Sequence, residues 1–278
     1  MTPTWQPDED QHVPPLRIGA FGWLRAVLRA VPLIILVFGC LLLLLLVRLI
    51  ERPVFGLQRP ITPHITQFVC RNAFRILGIG FATKGAQMTH RGAIVANHSS
   101  WLDIFSLNAA KRVYFVSKSE VANWPGIGWL ARATGTVFIE RNPRRAKEQK
   151  DLFEARLKAG HKLLFFPEGT STDGMRVLPF KSTLFAAFFT PEMAPILWVQ
   201  PVTVNYIAPK GEEPRYYGWW GDMEFAPHLL KTLAARRQGA VEVVYHPPLQ
   251  VAKASSRKSL ALACERAVTA GHRSSSTP

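Results

Sequence analysis

Between Arg29 and Arg48 lie eighteen residues without a charge, AVPLIILVFGCLLLLLLV, of which Leu41 to Leu46 are six consecutive leucines. As a helix this stretch covers about 27 Å, just short of the roughly 30 Å hydrocarbon core of a bilayer. Six leucines in a row leave no polar face for water, so a membrane-embedded helix is expected over residues 30–50. A cleaved leader fits poorly, because the next residues are Arg48-Leu49-Ile50-Glu51-Arg52-Pro53, with no small-x-small site. Arg17, Arg25 and Arg29 precede the stretch and Arg48, Arg52 and Arg59 follow it, so charge asymmetry gives no orientation. Spanning and re-entrant insertion both stay open.

A second amphiphilic segment follows within residues 60–80. Ile65, Phe68, Val69, Ala73, Ile76 and Leu77 recur at helical spacing, and Arg71 and Arg75 lie one turn apart on another face. This suits either a helix lying at the headgroups, with its arginines toward anionic lipid, or an ordinary amphipathic helix packed on the domain. The whole chain carries 34 Lys+Arg against 19 Asp+Glu, a net charge of +15. A membrane surface accounts for that excess; no recognition-helix pattern or aromatic RNA platform accompanies it, so nucleic acid is not an expected partner. Cys40, Cys70 and Cys264 lie too far apart in sequence for a disulfide framework, and no Cys/His cluster suggests zinc.

After a polar segment (1–29), the anchor and the amphipathic helix, one domain is expected over 81–271. It should be an α/β fold with a mostly parallel sheet flanked by helices. Short apolar runs at Ala93–Ala96, Val113–Ser117, Thr136–Ile139, Lys162–Phe166, Val199–Val204 and Val241–Tyr245 read as strands. Pro143 and Gly160 bracket a helix over 143–159, and Ser255 or Ser256 opens a last helix that Gly271 closes. Residues 209–220 read as a surface loop, with Trp219-Trp220 as a possible interfacial anchor, and 272–278 as a disordered tail.

Sites in open α/β sheets gather beyond the carboxyl ends of strands. The first strand is followed by Asn97-His98-Ser99-Ser100-Trp101-Leu102-Asp103. A carboxylate bonded to one imidazole nitrogen fixes the tautomer and leaves the other nitrogen basic, as a general base requires. The same residues fit a helix capping box, with Asp103 serving only the helix. Later strand ends carry Lys118, then Phe138-Ile139-Glu140-Arg141, then Phe166-Pro167-Glu168-Gly169-Thr170. Arg141 offers a planar fork for an anion, and Pro167-Glu168-Gly169 serves equally as turn chemistry.

His98-x4-Asp103, Phe138-Ile139-Glu140-Arg141, Phe166-Pro167-Glu168-Gly169-Thr170 and Val199-Gln200-Pro201-Val202, in that order, resemble the four motifs of glycerolipid acyltransferases over roughly residues 60–250. The nearest branch is similar to 1-acyl-glycerol-3-phosphate (lysophosphatidic acid) acyltransferases. The stretches 172–181 and 221–229 resemble a bacterial sub-branch that includes acyltransferases acting on lyso-ornithine lipid. The resemblance implies that His98 is the base and Asp103 its orienting partner. Arg141, Glu168, Gly169 and Thr170 would belong to the acceptor site, and Lys118, Lys181 and Pro201 to the donor side. It implies a lysophospholipid acceptor at the bilayer and acyl-CoA or acyl-carrier protein as co-substrate, with no metal and no further cofactor. Making phosphatidic acid is the first expectation, and O-acylation of lyso-ornithine lipid the alternative. The resemblance also implies an inner-membrane enzyme facing the cytoplasm. A hydrolase lacks a nucleophile elbow here, and a lipid-binding scaffold would leave His98 idle.

Overall fold

The computed structural model describes Trp5, residues 17–140 and residues 143–272. Most of the polar segment before residue 17 and the tail from 273 lie outside the described residues, as does Arg141. The first helix, α1 (Ala20–Phe55), runs 36 residues, or about 54 Å at 1.5 Å per residue. It starts ten residues before the expected anchor, because Arg25 and Arg29 are not flanking charges. Arg25 Nε donates to the Ala234 carbonyl at 2.9 Å, and Arg29 Nη1 to those of Leu233 and Ala235 at 2.8 and 2.7 Å. Inward-facing positions recur in three- and four-residue steps from Gly22 to Glu51, so one stripe faces the protein along the whole helix. The other flank is bare hydrocarbon, with Leu28, Ile35, Leu42, Leu49 and Ile50 all exposed.

A short turn leads to α2 (Thr62–Leu77), and Glu51 holds that turn. Its carboxylate is buried and accepts from the Ile61 N–H (2.7 Å), the Thr62 N–H (3.1 Å), the Thr62 hydroxyl (2.7 Å) and Arg48 (3.1 Å). α2 is the packed kind of amphipathic helix: Cys70, Ala73, Phe74 and Leu77 enter the core, while Phe68 stays exposed. Arg71 Nε caps the Ala109 carbonyl at 2.9 Å.

The strands and helices then alternate: β1 (Gly80–Lys84), β2 (Gly92–Ala96), α3 (Asp103–Ala110), β3 (Tyr114–Lys118), α4 (Ile127–Thr134), β4 (Val137–Ile139), α5 (Ala146–Lys158) and β5 (Leu163–Phe165). They continue with β6 (Trp198–Ile207), α6 (Phe225–Ala234), β7 (Ala240–Tyr245), β8 (Leu249–Gln250) and α7 (Arg257–Gly271). All six expected strands are present, and Ser256 caps α7 with a capping box. The sheet order is β1-β7-β6-β2-β5-β3-β4, with β8 beside β6. Its β6–β2–β5–β3–β4 core is parallel, and β7 and β8 run antiparallel to β6. The strands β1 and β8 escape sequence reading, since β1 is a largely exposed edge strand and β8 spans two residues. Every residue of β2 is buried, as a central parallel strand covered on both faces requires. One apolar core joins the sheet to α2, α3 and α6; the other joins it to α5, α7 and a 3-10 turn over residues 182–188.

The 209–220 segment is only partly a surface loop. Tyr216 and Tyr217 are buried in the first core, and Trp219 and Trp220 are half-buried rather than presented to a membrane. The Trp219 indole N–H instead donates to the Met223 carbonyl at 2.8 Å. The exposed tryptophans are Trp23, Trp124 and Trp129.

The Glu51 junction predicts that Glu51→Gln, which removes the ion pair and weakens three backbone and hydroxyl contacts, destabilises the protein by about 1–3 kcal/mol. Chemical denaturation of wild type and variant in the same detergent measures this; coincident midpoints would show that the turn is held by other contacts.

Candidate active site

The end of β2 is built to present one imidazole. Asn97 is buried and grips the next strand with both amide groups, donating to the Val204 carbonyl at 3.0 Å and accepting its N–H at 2.8 Å. The following residue, His98, has its backbone pinned on both sides. Its N–H donates to Glu168 Oε1 at 2.7 Å, and its carbonyl accepts from the Thr172 N–H at 2.9 Å. Its ring lies on Phe166, centroids 4.0 Å apart and planes 11° from parallel. The imidazole Nδ1 is 2.7 Å from Asp103 Oδ2. Because that carboxylate is the acceptor, Nδ1 carries the proton and Nε2 keeps its lone pair. The His98 side chain is 20% exposed and the Asp103 side chain fully buried.

The expected capping box forms only in half: the Asp103 carboxylate meets the Ser100 N–H, but no side chain caps the start of α3. Asp103 opens α3, and its Oδ2 also accepts the N–H groups of Ser99 (2.8 Å) and Ser100 (3.1 Å), so one oxygen closes the helix entry and orients the histidine. The other oxygen, Oδ1, accepts the hydroxyl of Tyr206 at 2.7 Å. Burial first, and then the Asp103 charge, raise the Tyr206 phenol well above its ordinary range, so it remains a donor. Tyr206 lies 103 positions from Asp103 in sequence, and no local pattern could have singled it out. Asn97 had a weak signal: it is the polar residue that ends a wholly apolar strand.

Glu168 sits at the end of β5 with both carboxylate oxygens engaged by backbone, Oε1 by His98 and Oε2 by the Leu178 N–H at 2.8 Å. It braces two strand-end loops, and neither oxygen is left bare for an acceptor. Burial pushes its carboxyl up to about 8, against the pull of the two backbone donors. Gly169 adopts φ +76°, which favours glycine, and the Lys181 ammonium lies within 2.7 Å of where a Cβ would stand. Lys181 is thereby placed beside the Pro167-Glu168-Gly169-Thr170 turn, whose Thr170 hydroxyl accepts the Trp5 N–H at 3.4 Å. Lys118 is exposed at the end of β3. Pro201 is buried within β6 opposite Val95, below the strand-end level, so it can reach the site only through the sheet.

Next to the histidine, Gly174 would place a Cβ 3.4 Å from Ser99. Its neighbour Asp173 is buried between Arg176 (3.5 Å) and Arg215 (3.4 Å), and the Arg215 Nη1 is buried without a hydrogen-bond partner. Trp101 packs, donating to His228 Nδ1 at 2.9 Å. The thiols of Cys70 and Cys264 are buried and pushed up to about 12, so neither is a nucleophile at neutral pH. Among the described residues no cluster of His, Cys, Asp and Glu is arranged to hold a metal.

Two measurements test this arrangement. Tyr206→Phe removes one hydrogen bond to the Asp103 carboxylate, worth about 1.5–3 kcal/mol, and should lower kcat while shifting its acidic pH limb; a change in KM alone would assign Tyr206 elsewhere. Glu168 binds its proton more tightly folded than unfolded, so its contribution to stability is complete below about pH 4.5 and is lost as pH rises toward about 8. Denaturation midpoints at pH 5 and pH 8 should therefore differ less in Glu168→Gln than in wild type.

A family model described as Acyltransferase matches residues 81–204. A lyso-ornithine lipid O-acyltransferase of Rhodobacter capsulatus is 58% identical over 97% of this chain and 97% of its own. A second protein of that name, from Brucella abortus, is 40% identical over 74% of this chain and 81% of its own. A 1-acyl-sn-glycerol-3-phosphate acyltransferase of Neisseria gonorrhoeae is 38% identical over 41% of this chain and 46% of its own. The crystal structure of the 1-acyl-sn-glycerophosphate acyltransferase PlsC of Thermotoga maritima shares the fold, with a TM-score of 0.56 at 21% identity over 87% of this chain and 95% of that one. The chain with the His98–Asp103 pair at its central strand end belongs to the acyltransferase family and is an O-acyltransferase.

Proposed function

We propose that the enzyme transfers an acyl group from an acyl thioester to the free hydroxyl of lyso-ornithine lipid, giving ornithine lipid and a thiol. The single observation that carries the chemistry is the 2.7 Å contact between His98 Nδ1 and buried Asp103. His98 Nε2 removes the proton of the acceptor hydroxyl as its oxygen attacks the thioester carbonyl. The tetrahedral adduct collapses, the C–S bond breaks, and the imidazolium returns its proton to the departing sulfur. Asp103 holds the ring in the productive tautomer and stabilises its transient positive charge. Tyr206 and Glu168 act through Asp103 and the His98 backbone, as positioning residues. Arg141, Thr170 and Gly169 remain proposed for the acceptor side, and Lys118 and Lys181 for the phosphates of acyl-CoA or acyl-carrier protein.

The acceptor departs from the first expectation, phosphatidic acid formation, in favour of the alternative. Support comes from the near full-length similarity to the Rhodobacter protein, whereas the glycerol-3-phosphate relative from Neisseria matches less than half of the chain.

The bare apolar flank of α1 supports membrane association, with the helix lying in one leaflet and its inward stripe on the domain. At about 54 Å the helix is nearly twice the hydrocarbon thickness, and polar anchoring at both ends to the same domain argues against crossing. We place the enzyme at the inner membrane facing the cytoplasm, consistent with three free cysteines and a cytosolic supply of thioester.

The test offers lyso-ornithine lipid and lysophosphatidic acid separately, with labelled acyl-CoA or acyl-carrier protein, to purified enzyme. Ornithine lipid is the expected product, and His98→Ala should reduce turnover by about 10²–10⁴ with the fold intact. Phosphatidic acid as the sole product would overturn the acceptor assignment, and near-normal turnover of His98→Ala would overturn the base.

A further inference from the structure

At the opposite end of the central strands from His98, the α1–α2 turn closes a cleft of about 870 Å³. Its walls come from α2 and from the residues just before β2, β3 and β5: Thr89, Lys111, Arg112, His161 and Lys162. The strands separate it from the histidine by about 17 Å, taking five residues at about 3.3 Å each. Arg59, Arg71, Lys111, Arg112 and Lys162 line it, with no acidic residue among the lining.

Each of these cations has local work, yet none forms an ion pair with a carboxylate, although the Glu51 charge acts on Arg59. Arg59 donates to the Ala133 carbonyl at 2.7 Å, Arg71 to that of Ala109, Lys111 to that of Met88 at 2.6 Å, and Lys162 to those of Thr89 and His90, while Arg112 meets the His64 ring. Among the described residues none of the five is paired with a carboxylate, and the neighbouring Glu51 is consumed by Arg48, Ile61 and Thr62. The cost of this crowding is visible in the lysines. Lys162 is pushed down to about 8 by burial, Lys111 and Arg91, and Lys111 is lowered by burial and Arg112. At the inner wall His161 is 5% exposed and stacks on Tyr114, and neither of its ring nitrogens makes a hydrogen bond of normal geometry, although the Leu57 backbone lies close enough to favour its charged form.

We propose that this cleft is a second, non-catalytic site that binds a phosphate-bearing anion, supplied by the headgroup of an anionic membrane phospholipid. Guanidinium forks and ammonium groups converging on one polar cavity are the chemistry that recognises phosphate, and the volume lies within the usual range for small-ligand sites. The rim points to a lipid source. Leu57, Ile61 and Phe68 are exposed on the α1–α2 turn and α2, so hydrocarbon adjoins the cations as acyl chains adjoin a headgroup. The lipid source rests on the membrane seating proposed above; the anion site does not.

The experiment uses the full chain in a zwitterionic detergent and reads thermal unfolding during titration with dihexanoyl phosphatidylglycerol, dihexanoyl phosphatidylcholine and inorganic phosphate. Phosphatidylglycerol should raise the midpoint saturably and phosphatidylcholine should not. Arg112→Gln with Lys162→Gln should weaken that response about tenfold while acyl transfer in detergent stays unchanged. Arg112→Glu, at an exposed position, serves if the double variant is unstable. A response to inorganic phosphate alone, lost in the variants, would keep the anion site and overturn its lipid source. An equal response to both lipids, an unaltered response in the variants, or no response to any of the three would overturn the proposal.

Discussion

The arrangement at the sheet end depends on one buried carboxylate. Asp103 has no solvent to stabilise it, so its charge must be met by protein donors, and four meet it: one imidazole, two backbone amides and one phenol. Each donor comes from a different structural need. The amides start α3, the phenol ties the helix to β6, and the imidazole is the proposed base. The carboxylate therefore makes helix entry, strand packing and tautomer choice a single event. Removing its charge would disturb all three together, which explains why a motif of two residues carries so much architecture.

Much of this was legible in sequence because it is local. Only four residues separate His98 from Asp103, and a parallel central strand announces itself as the unbroken apolar run Ala93–Ala96. Strand ends in an open sheet collect chemistry, so His98, Lys118 and Glu168 could be picked out one by one. What stayed hidden is what the chain brings from far away. Tyr206 reaches Asp103 across 103 positions, and the 209–220 segment looks hydrophilic although its two tyrosines are core residues. Glu168 shows the remaining limit. A residue type at a motif position says nothing about which way its oxygens face, and here both face backbone amides.

Charge patterning misled for the same reason. Arg25 and Arg29 read as membrane-flanking cations, yet they are ligands of three carbonyls at the end of α6. Free carbonyls at a helix terminus carry partial negative charge, and a guanidinium satisfies both that charge and the missing hydrogen bonds. Arg71 does the same for α3, and Arg59 for α4. A net charge of +15 thus conceals different uses: some of its cations finish helices and others pair with carboxylates.

The contact between α1 and α6 joins residues more than two hundred positions apart. During synthesis the leucine-rich helix leaves the ribosome first, while the carbonyls that receive its arginines are made near the end. For that interval only α2, made directly after it, covers the inward stripe, and the part that later meets α6 has no protein partner. In the membrane seating proposed above, lipid shields that part until α6 is made. Cutting the chain after the anchor to gain a water-soluble enzyme would remove a wall of the first core and not merely a tether.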